Sequence, residues 1–404
     1  MKRRKSIIAA MLCVSLLSTA CAASSSDEGT AGKDAGAQQT SEAEKEQPKE
    51  KEYQGKLNLI QPSAYNNVDD LNLESGSYLS IIGKSEGGAY WEEVKKGAEQ
   101  AVADLNQLLG YEGKKKIKIT YSGPSETDDV DEQVNILDEE LARYPVALAI
   151  SISDASACEV QFDLAAESGI PVVAYDSGSD YQGLMATVST DNDASAREAA
   201  ARLAEEMKEE GEVVIFAQDT KSKAAQIREA AFKEEITANH PGITIVDAYH
   251  MDDLSSWQDV VAAEMNAGTY QPEDAALAGK ETVLPEELTE EQVVDYIFAK
   301  HPNLKGVFGT NIDALKLGLA GVERAERDEI SVVGYDIDTE MKKALKEGQV
   351  DGLIVQNPFG MGYASVVASA RAALNLGNEA VVDTGYTWVT KKNMKDEAVK
   401  KVLY

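Results

Sequence analysis

Two β-branched runs in this chain end on the same pair of residues: Ile170-Pro171-Val172-Val173-Ala174-Tyr175-Asp176 in the first half and Ser331-Val332-Val333-Gly334-Tyr335-Asp336 in the second. Such a run reads as a buried parallel strand that delivers its carboxylate at the C-terminal end, where open α/β sheets bind ligands. Any single strand-end Asp serves equally as a helix N-cap or turn residue. Its repetition, once per half, argues for two similar lobes facing across a cleft. Paired carboxylates can accept hydrogen bonds from ligand hydroxyls, or act as acid and base as in glycosidases. The second chemistry lacks support: there is no catalytic His in a strand-end loop, no Gly-x-Ser-x-Gly elbow and no glycine-rich phosphate loop. His240, His250 and His301 have no metal-ligand spacing, and Asp191-Asn192-Asp193 and Asp336-Ile337-Asp338 lack the Gly and Glu of a calcium loop. No catalytic residue, metal or cofactor is expected.

The elements that position these carboxylates alternate between strand and helix. In the first half strands are expected at 78–83, 116–121, 146–152, 171–175 and 185–189, with amphipathic helices at 91–109, 130–143 and 158–168. The second half repeats this with strands at 213–217, 243–248, 307–309, 330–335 and 352–356 and six helices between 193 and 347. Alternating βαβ units demand parallel sheets covered by helices on both faces. Residues 268–289, with two Pro and two Gly, break the rhythm as a surface insertion ahead of a helix capped by Thr289. The net charge of −31 excludes a nucleic-acid partner, because nothing would neutralise phosphates.

The first 21 residues read as a signal peptide: Met1-Lys2-Arg3-Arg4-Lys5, an apolar stretch from Ser6 to Leu17 too short to span a bilayer, then Ser18-Thr19-Ala20-Cys21. The small residues before Cys21 resemble the lipobox of bacterial lipoproteins, which implies lipidation of Cys21. Ser18 departs from the usual aliphatic residue, and ordinary secretion with cleavage near Ala23 is the alternative. Residues 22–52 carry almost no apolar side chains and should form a disordered tether. Cys158 would then be the only thiol of the folded part, most simply a buried helix residue.

The order of motifs resembles the type I periplasmic binding proteins, specifically the ribose/galactose-type sugar-binding lipoproteins that feed ABC importers. Gly88-Ala89-Tyr90-Trp91 opens the first long helix; Ser189-Thr190-Asp191-Asn192 sits at a crossing between lobes; Phe308-Gly309-Thr310-Asn311 precedes a helix; Gln356-Asn357-Pro358 follows the last strand. The resemblance implies a site in which Tyr90 and Trp91 face the apolar C–H surface of a sugar and Asp176 and Asp336 accept from its hydroxyls. Asn311 and Gln356 would both donate and accept. Tyr90 and Trp91 also fit a hydrophobic staple, and Asn311 an N-cap. Where the family often has Arg, this chain has Ser177 and Gln226, so the ligand's polar pattern should differ from ribose. Trp257 is a candidate for one further aromatic, or for core.

The resemblance further implies lobe 1 at 53–190 plus 357–377 and lobe 2 at 191–356 plus 378–404, closing by hinge motion on a small polyhydroxylated ligand, most simply a monosaccharide. An extracytoplasmic, lipid-anchored monomer that delivers its ligand to an ABC permease follows. A sensor presenting its ligand to a membrane receptor is the alternative. A transcription repressor of the same fold is argued against by the export signal and the negative charge.

Overall fold

The computed structural model describes residues 51–404, apart from 273, 275, 276, 278 and 279. The expected signal peptide and all but the last two residues of the expected tether lie outside them. Lobe 1 begins with α1 (Gln54–Leu57) and runs β1 (Tyr78–Ile82), α2 (Ala89–Leu109), β2 (Lys118–Ser122), α3 (Val130–Leu141), β3 (Ala147–Ile150), α4 (Glu159–Glu167), β4 (Val172–Tyr175) and β5 (Thr187–Ser189). The chain crosses to lobe 2 for α5 (Asn192–Glu206), β6 (Gly211–Ala217), α6 (Lys223–Asn239), β7 (Ile243–His250), α7 (Leu254–Asn266), α8 (Glu290–Lys300), β8 (Leu304–Gly309), α9 (Ile312–Arg324), β9 (Ser331–Tyr335), α10 (Thr339–Glu347) and β10 (Gly352–Gln356). It returns to lobe 1 for α11 (Pro358–Ala373) and β11 (Val381–Asp383), then ends in lobe 2 with β12 (Tyr386–Val389) and α12 (Glu397–Lys400).

Each lobe holds a six-stranded sheet, ordered β11-β5-β4-β3-β1-β2 and β12-β10-β9-β8-β6-β7. Within each, the first strand lies between the second and third, the doubly wound order whose switch point opens a crevice at the strands' carboxyl ends. All pairings are parallel except β10 with β12, which is antiparallel. Successive residues of a buried strand serve opposite faces. Ala147 and Ala149 join the core under α2 and α11, while Leu148 and Ile150 join the core under α3 and α4.

Two features depart from the sequence expectation. The third crossing falls at Thr384-Gly385, not after residue 377. The β-branched run Val381-Val382 adds a parallel edge strand to β5, which keeps the chain in lobe 1 for six more residues. Helix α11 was not anticipated, because residues on every side of it are buried and no polar stripe marks its period. Of the 268–289 stretch, Leu277, Val283 and Leu288 are buried in the lobe 2 core together with residues of α7 and α8. Thr289 and Gln292 form a capping box ahead of α8. Cys158 is buried and its thiol pushed up to about 12, chiefly by burial, so it is unreactive.

Helices α2 and α11 pack with almost no side chain between them at two places. A Cβ added at Gly97 would stand 1.9 Å from the Phe359 carbonyl oxygen, and one added at Gly362 would stand 1.9 Å from that of Val94. Replacing a mid-helix Gly with Ala ordinarily stabilises by about 0.5–1 kcal/mol. Here Gly97→Ala should destabilise by about 1–3 kcal/mol, because two backbones must separate. Urea unfolding decides the sign, and a stabilised variant would contradict the close packing.

Candidate functional site

Asp176 ends β4 and Asp336 ends β9, the fourth strand of each lobe. Both adopt the left-handed conformation, with φ of 57° and 69°. Each donates its backbone N–H to the next strand of its sheet, Asp176 to Val188 O and Asp336 to Ile354 O, both at 2.8 Å. A non-glycine residue in this region costs of order 1 kcal/mol or more and persists only where its surroundings enforce it. The strand-end turn thereby aims both carboxylates off the sheet edge.

Around Asp176, Tyr90 Oη donates to Oδ1 and Ser151 Oγ to Oδ2, each at 2.7 Å. Around Asp336, Gln356 Nε2 and Tyr404 Oη both donate to Oδ1 at 2.9 Å, which leaves Oδ2 open to a further donor. The Tyr404 ring stands edge-on to the Tyr90 ring at 6.1 Å, so contacts run from Asp176 through Tyr90 and Tyr404 to Asp336, from one lobe to the other. Trp91 lies edge-on to Tyr90 at 5.0 Å and beside Tyr175 at 6.5 Å. Burial and the neighbouring carboxylates hold both Tyr90 and Tyr404 well above the ordinary phenol range, so each remains a donor. Burial pushes the Asp336 carboxyl up to about 6; Arg228 and the two hydrogen bonds oppose this, and Asp176 adds to it.

The hinge is knotted to this site. Gln356 Oε1 accepts from Thr190 Oγ1 at 2.9 Å and from Arg228 Nη2 at 2.8 Å, while its amide holds Asp336. Arg228 is buried on the face of Tyr335 at 4.1 Å and also donates to Asn192 Oδ1 and the Thr310 carbonyl. Asn357 Nδ2 donates to Thr384 O at 2.9 Å and Thr384 N to Ser189 O at 3.0 Å, so the three crossing segments bond to one another. The lobes also meet across the cleft: Gln218 Nε2 donates to Asp128 Oδ2 at 2.5 Å, Lys223 pairs with Asp180 at 2.9 Å, and Ala224 N donates to Ser177 Oγ at 3.3 Å.

The structure brings Tyr90, Trp91, Asp176, Asp336 and Gln356 together. Asn311 caps α9, its Oδ1 accepting from Ala314 N at 2.9 Å, and it also lines a cleft cavity. Ser177 is buried against the start of α6. Gln226 does not reach the site: it is exposed, and its amide turns back to Thr220 O at 2.9 Å. Trp257 does not either, because it packs on Tyr249 at 6.0 Å against the lobe 2 core. Arg228, Ser151, Thr190 and Tyr404 were missed. The Arg two places after Gln226 was the signal for the first; nothing local in the sequence marks Tyr404.

Two α/β lobes joined by three bonded crossings, with strand-end carboxylates turned toward one cleft, define a hinged ligand-capturing protein. Residues 79–379 match the family model described as a periplasmic binding protein domain, and the chain belongs to that family. It is 26% identical over 243 residues to a D-ribose/D-allose-binding protein of Pseudomonas aeruginosa, an alignment covering 58% of this chain and 65% of that protein. Among solved structures it is similar to a carbohydrate transporter solute-binding protein of Agrobacterium radiobacter in complex with D-arabinose, with a TM-score of 0.66, 26% identity and coverage of 81% of this chain and 99% of the other. An ABC transporter solute-binding protein of Agrobacterium vitis bound with α-D-tagatopyranose shares the fold, with a TM-score of 0.65, 24% identity and coverage of 81% and 99%.

The raised Asp336 carboxyl makes stability depend on pH. Its folded value lies above its ordinary 3.8, so the folded chain keeps a proton that the unfolded chain releases. The stabilisation is whole below 3.8 and is lost as pH rises through about 6. The loss is on the order of 2–3 kcal/mol at about 1.4 kcal/mol per unit. Denaturant unfolding between pH 4 and 7 should show wild type losing this amount relative to Asp336→Asn, and Tyr404→Phe, which removes one donor, should move the midpoint upward. Parallel curves for wild type and Asp336→Asn would contradict the assignment.

Proposed function

We propose that this chain is the extracytoplasmic solute-binding component of an ABC importer and captures a monosaccharide between its lobes. The observation that carries the reading is the matched pair Asp176 and Asp336, one per lobe, each in a left-handed strand-end turn and linked across the cleft through Tyr90 and Tyr404. A sugar offers hydroxyl donors around its rim and a mildly apolar C–H face. Carboxylates that accept and aromatic rings that stack meet both needs. The sugar-bound structural relatives support this choice of ligand.

The sugar enters with the lobes apart. Its hydroxyls donate to Asp176 and to the open Oδ2 of Asp336, Tyr90 and Trp91 cover its face, and closure removes water and strengthens each polar contact. No bond is made or broken. The signal-like leader and Cys21 support anchoring by a lipid to the outer face of the cell membrane, with residues 22–52 as the tether and a membrane permease as the partner of the monomer.

A thermal-shift panel of pentoses and hexoses tests the reading. A ligand at a hundred times its Kd should add about 2.7 kcal/mol to stability. Asp176→Asn and Asp336→Asn should each weaken binding roughly ten- to hundredfold in calorimetry, since a hydrogen bond to a charged group is worth about 1.5–3 kcal/mol. Stabilisation by no sugar, or full affinity in both variants, would refute it.

A further inference from the structure

The phenol of Tyr404 stands where the captured ligand is expected to stand. Its hydroxyl donates to Asp336 Oδ1 at 2.9 Å and its ring meets the Tyr90 ring edge-on at 6.1 Å, while Tyr90 in turn holds Asp176 at 2.7 Å. The Ile337 backbone N–H faces the same phenol oxygen, which therefore donates and accepts as a sugar hydroxyl does. A phenol ring and a pyranose ring are both six-membered and of similar width. Both cannot lie on the path that joins the binding groups of the two lobes.

The two donors on Asp336 Oδ1 are not equally free to leave. Gln356 is fixed by Thr190 Oγ1 at 2.9 Å and by Arg228 Nη2 at 2.8 Å, so its amide stays in place. Tyr404 is held from a short segment after α12. That segment is anchored by Val399 and Val402, which are buried, and the Val402 N–H donates to Val399 O at 3.0 Å. Beyond Val402, among the described residues, neither the Leu403 nor the Tyr404 backbone N–H donates a hydrogen bond. Both side chains are only partly buried against the lobe 2 core. Rotation of the backbone after Val402 is enough to carry the ring off the path, and the buried anchor is untouched.

We propose that Tyr404 is an internal ligand: its phenol occupies the Asp336 end of the site until a sugar displaces it. The inference rests on the sugar-binding reading and deepens it, because it names the residue that sets the affinity. A tethered group competes at an effective concentration in the millimolar range. A site open for only part of the time binds with its intrinsic Kd divided by the open fraction. Tyr404 therefore weakens the binding of every sugar, least for those whose hydroxyls replace both its bond to Asp336 and its bond from Ile337.

Calorimetry on the whole chain tests this with the sugar that stabilises it most, at pH 8, where Asp336 is ionised. Tyr404→Phe, which keeps the ring and loses the bond, should bind about tenfold tighter than wild type. Tyr404→Ala should bind at least as tightly as Tyr404→Phe. A single fluorine placed on the Tyr404 ring reads the displacement itself: its resonance should move to the position of a solvent-exposed ring as sugar saturates the chain. Weaker binding in both variants, with the fluorine resonance unmoved, would make Tyr404 a wall of the site and overturn the inference while the sugar reading stands. Unchanged affinity in both variants would overturn it in the same way. Binding of no sugar by any of the three proteins would overturn the sugar reading itself.

Discussion

Gln356 is the side chain on which site and hinge both depend. Its carbonyl oxygen gathers Thr190 from the first crossing and the buried Arg228 from α6, and its amide fixes Asp336. A buried guanidinium is tolerated only with its donors satisfied, and here Asn192, the Thr310 carbonyl and Gln356 satisfy them. The same group softens the cost of burying Asp336, whose carboxyl still rests near 6. Any change in ligand contact at Asp336 is therefore felt at a residue that also touches the hinge. That is the physical route by which occupying the cleft biases the angle between the lobes.

Tyr404 gives this arrangement an unusual wall. It reaches the cleft from beyond α12, places a phenol on Asp336 and a ring edge on Tyr90. Its hydroxyl makes the kind of contact a sugar hydroxyl makes, so ligand must either share Asp336 with it or displace it.

Much of this was legible in the chain, and what was not has physical causes. The Tyr-Asp strand ends stood out because a charged residue after a β-branched run has few structural explanations, and the repeat removed most of those. The aromatic pair at the start of α2 stood out through its glycines. Helix α11 did not, since Phe359 to Ala372 is buried nearly all round and shows no amphipathic period. The third crossing was misplaced because Val381-Val382 is too short a run to announce a strand before its partner β5 is known. Arg228 was displaced by Gln226, for the helix turn that buries one exposes the other. Trp257 packs on Tyr249 against the lobe 2 core, and the ring that meets Tyr90 across the cleft is Tyr404, whose part is set by tertiary folding alone.

The central claim is that a sugar held between Asp176 and Asp336 draws the lobes together. Spin labels on the exposed Glu159 of α4 and Asp259 of α7 report the distance between lobes directly by pulsed electron resonance. With the sugar that stabilises the chain, the distance distribution should narrow toward one short value in the wild type and stay broad in Asp336→Asn. A distribution that a bound sugar leaves unchanged would contradict the account.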